Sequence, residues 1–236
     1  MIELLPGQVL SAPEEGAVTS IREGGVPPVF DGIFCEQLAK LFAWRRDVRR
    51  FRPDPVPTPL LETLVGTAAL SPSVGNSQPW RFVSVETGAA RDAVIANFKA
   101  CNAAALESYE GERAALYARL KLSGLREAPV HLAVFCDHGT GTGYGLGRKT
   151  MPETLDYSTV AAIHTFWLCA RAHGIGVGWV SILDPREVCR ILNVPAAWKL
   201  IAYLCAGLPQ EEHLDPELER QGWQGRLHRT AQLHRR

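Results

Sequence analysis

The sequence predicts a sheet protein of the α/β or α+β class, on three observations. Short runs rich in β-branched and aromatic residues alternate with stretches whose apolar residues recur at helical spacing. Of the 236 residues 46% are apolar, enough for a sizeable core. The 25 basic and 25 acidic residues cancel, which argues against a general nucleic-acid or membrane-surface binder and leaves a small molecule as the expected partner.

The elements follow in order. Residues 1–28 carry Pro, Gly, Glu and Ser without periodicity and read as a flexible arm, with a single domain expected over 29–236. Phe34, Leu38, Leu41 and Phe42 then mark an amphipathic helix capped by Asp31. It leads into WRRDVRRF, residues 44–51, where four arginines surround Asp47. Thr58 and Pro59 read as cap and first turn of a second helix, with Leu61, Leu64, Val65 and Ala68 as its buried stripe. SPSVGNSQPW, residues 71–80, is a shaped loop before the strand RFVSVE. A helical region over 88–126, broken near Glu110 and Gly111, precedes the strand VHLAVFCD at 130–137.

The glycine run HGTGTGYGLGRK fails as a dinucleotide fingerprint. From Gly139, Gly141 or Gly143, the third glycine of G-x-G-x-x-G is replaced by Tyr144, Leu146 or Arg148, so a loop or lid is expected. Residues 156–173 are apolar almost all round, as a helix in a core or across a subunit interface would be, and Gly174 ends it. The strand GVGWVSI, a helix opened by Asp184, Pro185 and Glu187 as a capping box, and the strand KLIAYLCAG complete the pattern. The six cysteines lack a C-x-x-C pair and read as buried thiols of a reducing cytoplasm. The seven histidines show no metal-ligand spacing, so no metal is expected, and His131 and His164 read as core residues. Neither a secretory leader nor a span of sufficient length is legible.

Two stretches stand out chemically. Guanidinium forks match phosphate oxygens in pairs, and Arg45 and Arg49 share a face whether the backbone is helical or extended; only the extended case adds Asp47 to that face. The competing reading is a surface ion-pair cluster neutralised by Asp47. In SPSVGNSQPW, Asn76 and Gln78 offer paired donors and acceptors while Gly75 permits close backbone approach. Lys121 and Arg126 read as solvated helix charges.

The pattern Arg45, Asp47, Arg49, Phe51, followed by SPSVGNSQPW, resembles the FMN-binding start of the nitroreductase superfamily. With YARLKLSGLREAP, GLGR, DYSTV, GVGWVSI and GWQGR, the chain is similar to the branch that makes 5,6-dimethylbenzimidazole. The resemblance implies an α+β, nitroreductase-like fold with a mixed central sheet flanked by helices, in an intertwined homodimer. It implies FMN, with reduced FMN as substrate and O2 as co-substrate, and a flavin reductase to supply it. Arg45, Arg46, Arg49 and Arg226 are then expected at the phosphate and ribityl end. Ser73, Val74, Gly75 and Gln78 are expected along the ring, with Gly176, Gly178, Trp179 and Val180 on its reactive side. Ordinary members carry Ser or Thr where this chain has Asp47. A carboxylate beside a phosphate is repelled unless it moves a proton, so Asp47 is the expected acid/base, with Ser181 as hydrogen-bond donor. An NAD(P)H-dependent reductase and a non-catalytic flavin-binding protein are the alternatives.

Overall fold

The computed structural model describes residues 26–227 and 233–235. Most of the arm expected over 1–28 lies outside the described residues; Val26 to Pro28 are exposed coil. Four strands, β1 (Trp80–Ser84), β2 (Val130–Asp137), β3 (Gly176–Val180) and β4 (Trp198–Gly207), form one sheet in the order β1-β2-β4-β3. Every neighbouring pair is antiparallel, which corrects the mixed sheet expected from the sequence. Among the described residues, parallel pairing survives only as an isolated bridge between Asp47 and Val177.

The period of two along the strands buries both faces of this sheet. On one face Leu132, Val134, Leu204 and Ala206 pack against α2 (Thr58–Ala68) and α5 (Thr154–Ala172), which contribute Leu60, Leu64, Ile163 and Phe166. On the other, Ala133, Phe135, Tyr203 and Cys205 meet α3 (Gly88–Glu107) and α6 (Pro185–Ile191) through Val94 and Val188, and Phe51 joins them. α1 (Gly32–Trp44), α4 (Gly111–Arg119) and α7 (Glu217–Arg220) complete the described helices. The fold is α+β, and among the described residues no helix is long and apolar enough to cross a membrane.

Local chemistry accounts for the helix ends. Asp31 accepts from the Phe34 N–H at 2.8 Å, and Asp184 accepts from the amides of Arg186 and Glu187. Glu187 does not reciprocate in a capping box; its carboxylate pairs with Arg190. Thr58 is already helical and Pro57 occupies the cap position, so the expected threonine cap sits one residue too late. Gly174, at φ +73°, closes α5 in the left-handed conformation that glycine supplies without a Cβ penalty.

α5 is not buried all round: Tyr157, Val160 and His164 line an exposed stripe. His164 therefore leaves the expected core and stacks on Phe42 of α1, whereas His131 is buried against the Tyr203 hydroxyl at 3.0 Å. Burial lowers the His131 pKa to about 4. Cys136 and Cys205 are buried thiols as read, but Cys35 is exposed.

Candidate active site

The arginine segment leaves α1 as extended chain and runs beside β3. Val48 donates its amide to the Val177 carbonyl at 3.0 Å. A Cβ on Gly178 would stand 2.1 Å from the Val48 carbonyl oxygen, and one on Gly176 would meet the Val48 side chain at 2.8 Å. These glycines are required by the chain's own crossing, a reason distinct from the ring contact expected of them.

That crossing places Asp47. Its Oδ1 accepts the Trp179 amide at 2.8 Å and its Oδ2 accepts Arg49 Nε at 2.8 Å. Desolvation raises the Asp47 pKa, and the Arg49 guanidinium and Trp179 N–H oppose the rise. About a third of the Asp47 side chain, 32%, stays accessible, so the carboxyl is held from behind and open in front. Arg49 is thereby engaged twice within the chain, since its Nη1 also donates to the Lys121 carbonyl at 2.8 Å. The guanidinium expected at the phosphate and ribityl end is here bonded to the neighbouring carboxylate.

Arg45 and Arg46 differ. Among the described residues neither forms an ion pair; Arg45 lies over the Trp167 ring at 4.8 Å, and Arg46 donates only to the Leu214 and Arg45 carbonyls. Burial lowers both pKa values, and Arg226 depresses each further by like-charge repulsion. Three guanidiniums thus lie near one another, with Asp47 acting on Arg45 and Asp215 on Arg46 but no ion pair at either arginine among the described residues. Arg226 itself is exposed. It follows Trp223, which packs edge-on against the stacked rings of Tyr109 and Tyr117 and under Arg113.

The SPSVGNSQPW loop is built with equal care elsewhere. Gly75, Asn76 and Gln78 all take positive φ, 58°, 54° and 46°, a concentration of left-handed residues that ordinary connections avoid. The Val74 amide donates to Ser158 Oγ at 3.0 Å, and the Gln78 amide to Ser73 Oγ at 3.0 Å. The glycine run covers this loop. A Cβ on Gly143 would meet the Gly75 carbonyl oxygen at 2.4 Å, and one on Gly147 would meet Val74 at 2.7 Å. Those glycines exist for backbone-to-backbone packing, which explains why they mimic and fail a dinucleotide motif.

Within one chain the two halves do not converge. Ser158 and Trp167 contact the loop and Arg45 respectively. At 1.5 Å and about 100° per residue they lie roughly 13 Å apart along α5 and on opposite sides of it. Ser73, Val74, Gly75 and Gln78 thus sit away from Arg45, Arg46 and Asp47. Trp179, half-buried against Trp167, and buried Val180 stand on the arginine side. Ser181 lies exposed just past the end of β3.

Two features escaped the sequence reading. In the sequence Trp167 is indistinguishable from a core aromatic, and Lys121 reads as a solvated helix charge rather than as the carbonyl that holds Arg49. Cys136, His138 and Asp156 also bring ligand atoms within 4.8 Å of one another, but the Asp156 carboxylate is already bonded to the Lys199 ammonium at 2.6 Å.

The Nitroreductase family model matches residues 42–208, the span that holds the arginine segment, the loop and the whole sheet. The chain belongs to the nitroreductase family. Within that family it is 60% identical over 199 residues to the 5,6-dimethylbenzimidazole synthase of Rhodospirillum rubrum, covering 84% of this chain and 94% of that one. A protein of the same name from Rhodobacter capsulatus is 48% identical over 198 residues, covering 84% and 96%. Among solved structures, oxidized iodotyrosine deiodinase bound to FMN and 3-iodo-L-tyrosine superposes with a TM-score of 0.63 at 24% identity, covering 84% of this chain and 97% of that one. The last of these supports the nitroreductase fold alone.

Proposed function

We propose that this nitroreductase-family chain is a 5,6-dimethylbenzimidazole synthase that fragments reduced FMN with O2. The observation that carries the reading is the partly open carboxyl of Asp47, held by Arg49 and the Trp179 amide beside Arg45 and Arg46, neither of which forms an ion pair among the described residues. The 60% identity to a protein of that name supports the same reaction.

The residues present fit FMN. Its phosphate is the dianion that Arg45, Arg46 and Arg226 are arranged to take, and Trp179, half-buried against the core residue Trp167, offers aromatic surface beside it. When bound, reduced FMN supplies the electrons for O2 and the ring carbons of the product, leaving erythrose 4-phosphate from the ribityl portion. Asp47 accepts a proton from the ribityl chain as general base, and Arg49 stabilises the ionised form needed for that task. Ser181, exposed beyond β3, would donate a hydrogen bond to the bound flavin ring. Ser73, Val74, Gly75 and Gln78 line the ring from a second copy of the chain, because their own copy holds them on the far side of α5. The active unit is accordingly a homodimer, fed by a reductase that delivers reduced FMN in the cytoplasm.

The test is chemical. Photoreduced FMN mixed with the protein and then air should lose its flavin absorbance and yield 5,6-dimethylbenzimidazole by chromatography. Rapid NAD(P)H oxidation with a nitroaromatic acceptor and no flavin loss would assign a reductase instead. Tight flavin binding with neither outcome would assign a sequestering protein.

A further inference from the structure

The turn after α4 reaches the carboxyl from below. Gly124 permits the approach, since a Cβ there would lie 2.3 Å from the Phe51 ring and 3.2 Å from the Arg49 carbonyl oxygen. Leu125 and Ala128 are buried in the core beside Phe51, and Glu127 and Ala128 both donate their amides to the Gly124 carbonyl. The turn is therefore fixed at its far end. At its near end the Lys121 ammonium pairs with Glu127 Oε1, and the Lys121 carbonyl accepts from Arg49 Nη1. Arg49 in turn bonds Asp47. Three hydrogen bonds, with the Lys121 residue itself between the first two, thus join Glu127 to Asp47.

We propose that Glu127 and Lys121 are positioning residues for the Asp47 carboxyl: their ion pair holds the Lys121 carbonyl where it locks Arg49 onto Asp47. The inference rests on the functional reading above, because it gives Asp47 a task that requires a controlled protonation state. Without the lock, Arg49 is a long side chain within reach of the neighbouring anion site. Once it turned to the phosphate, the carboxyl would lose its nearest cation.

The groups facing Asp47 are few. Arg45 and Arg49 lie on its own segment, the Trp179 N–H comes from β3, Glu217 from α7 and the Cys205 thiol from β4. Glu127 also acts on Cys205, whose thiol burial and both carboxylates keep protonated. The direct effect of neutralising Glu127 would be to lower the Asp47 midpoint, whereas the relay raises it. The sign separates the two causes.

The test uses the full chain with γ-carboxyl-labelled aspartate, the Asp47 resonance being assigned by its loss in Asp47→Asn. In Glu127→Gln the Asp47 midpoint should rise by about one pH unit, within the roughly 1 to 3 that an adjacent guanidinium removes. Glu127→Asp keeps the charge, shortens the arm and should raise the midpoint too; it also serves if the glutamine variant does not fold. The acid limb of the pH profile for benzimidazole formation should move upward in these variants by the same interval, with KM for reduced FMN little changed. An unmoved or lowered midpoint, or a loss confined to KM, overturns the relay. Absence of product in the unmodified protein would overturn the functional reading instead, while the titration still decides the relay.

Discussion

Asp47 carries an electrostatic cost that the fold does not need for stability. Its pKa is raised above the ordinary carboxyl value mainly by desolvation, despite Arg49 and the Trp179 amide. In the window between the ordinary and the raised value, the folded state holds a proton that the unfolded chain releases. The stability linked to this site is therefore complete below the ordinary value and is lost as pH rises through the folded one. Asp47→Asn removes that loss. The variant should unfold at an equal or higher temperature than its parent at pH 7, with the difference growing from pH 4 upward and then levelling. Calorimetry across that range checks the sign, and a variant clearly less stable at pH 7 would show that the carboxylate is structural. Nothing in the letters revealed this balance. The sequence placed a carboxylate among arginines, but which arginine would hold it depended on Lys121, a residue 74 positions further along.

At the scale of elements, the crossing of residues 47–48 over β3 decides where the site lies. Gly178→Ala would drive a Cβ to 2.1 Å from the Val48 carbonyl, parting the strand from the segment and breaking the Trp179–Asp47 bond. The expected cost is at least about 2 kcal/mol of unfolding free energy, together with loss of product while Asp47 itself is intact. Denaturant unfolding and the product assay read the two effects. Much of this level was legible beforehand: the strands over 130–137 and near 199–207 and the helix near 156–173 emerge close to where their apolar periods put them. Periodicity reports burial, however, and says little about pairing direction. It suggested neither the wholly antiparallel sheet nor the positive φ at Asn76 and Gln78. The glycines of 139–147 were rightly refused as a dinucleotide motif, but their purpose, packing on the Gly75 loop, exists only in three dimensions.

For the whole molecule the exposed apolar surface is the governing fact. α1 has no buried residue, and Phe34, Leu38 and Phe42 lie open beside Tyr157 and Val160 of α5. A helix of 13 residues that buries none of them is marginal in water, so this face is expected to be covered by a second copy, which would also bring the ring-lining loop to the arginines. Val160→Glu should convert a dimer to a monomer in sedimentation and weaken FMN binding at least about tenfold, since one 1.4 kcal/mol contact set already accounts for that factor. A dimer unaffected by this change, or a monomer that binds FMN fully, would separate the surface from the site.

The central claim is that a cationic cluster grips the flavin while the neighbouring carboxyl acts on the gripped molecule. Single-turnover reaction of reduced FMN and air with Asp47→Asn, at a concentration where binding is shown by fluorescence to be saturated, addresses it directly. The account predicts full FMN occupancy and no 5,6-dimethylbenzimidazole. Product at the parental rate from the asparagine variant would contradict it.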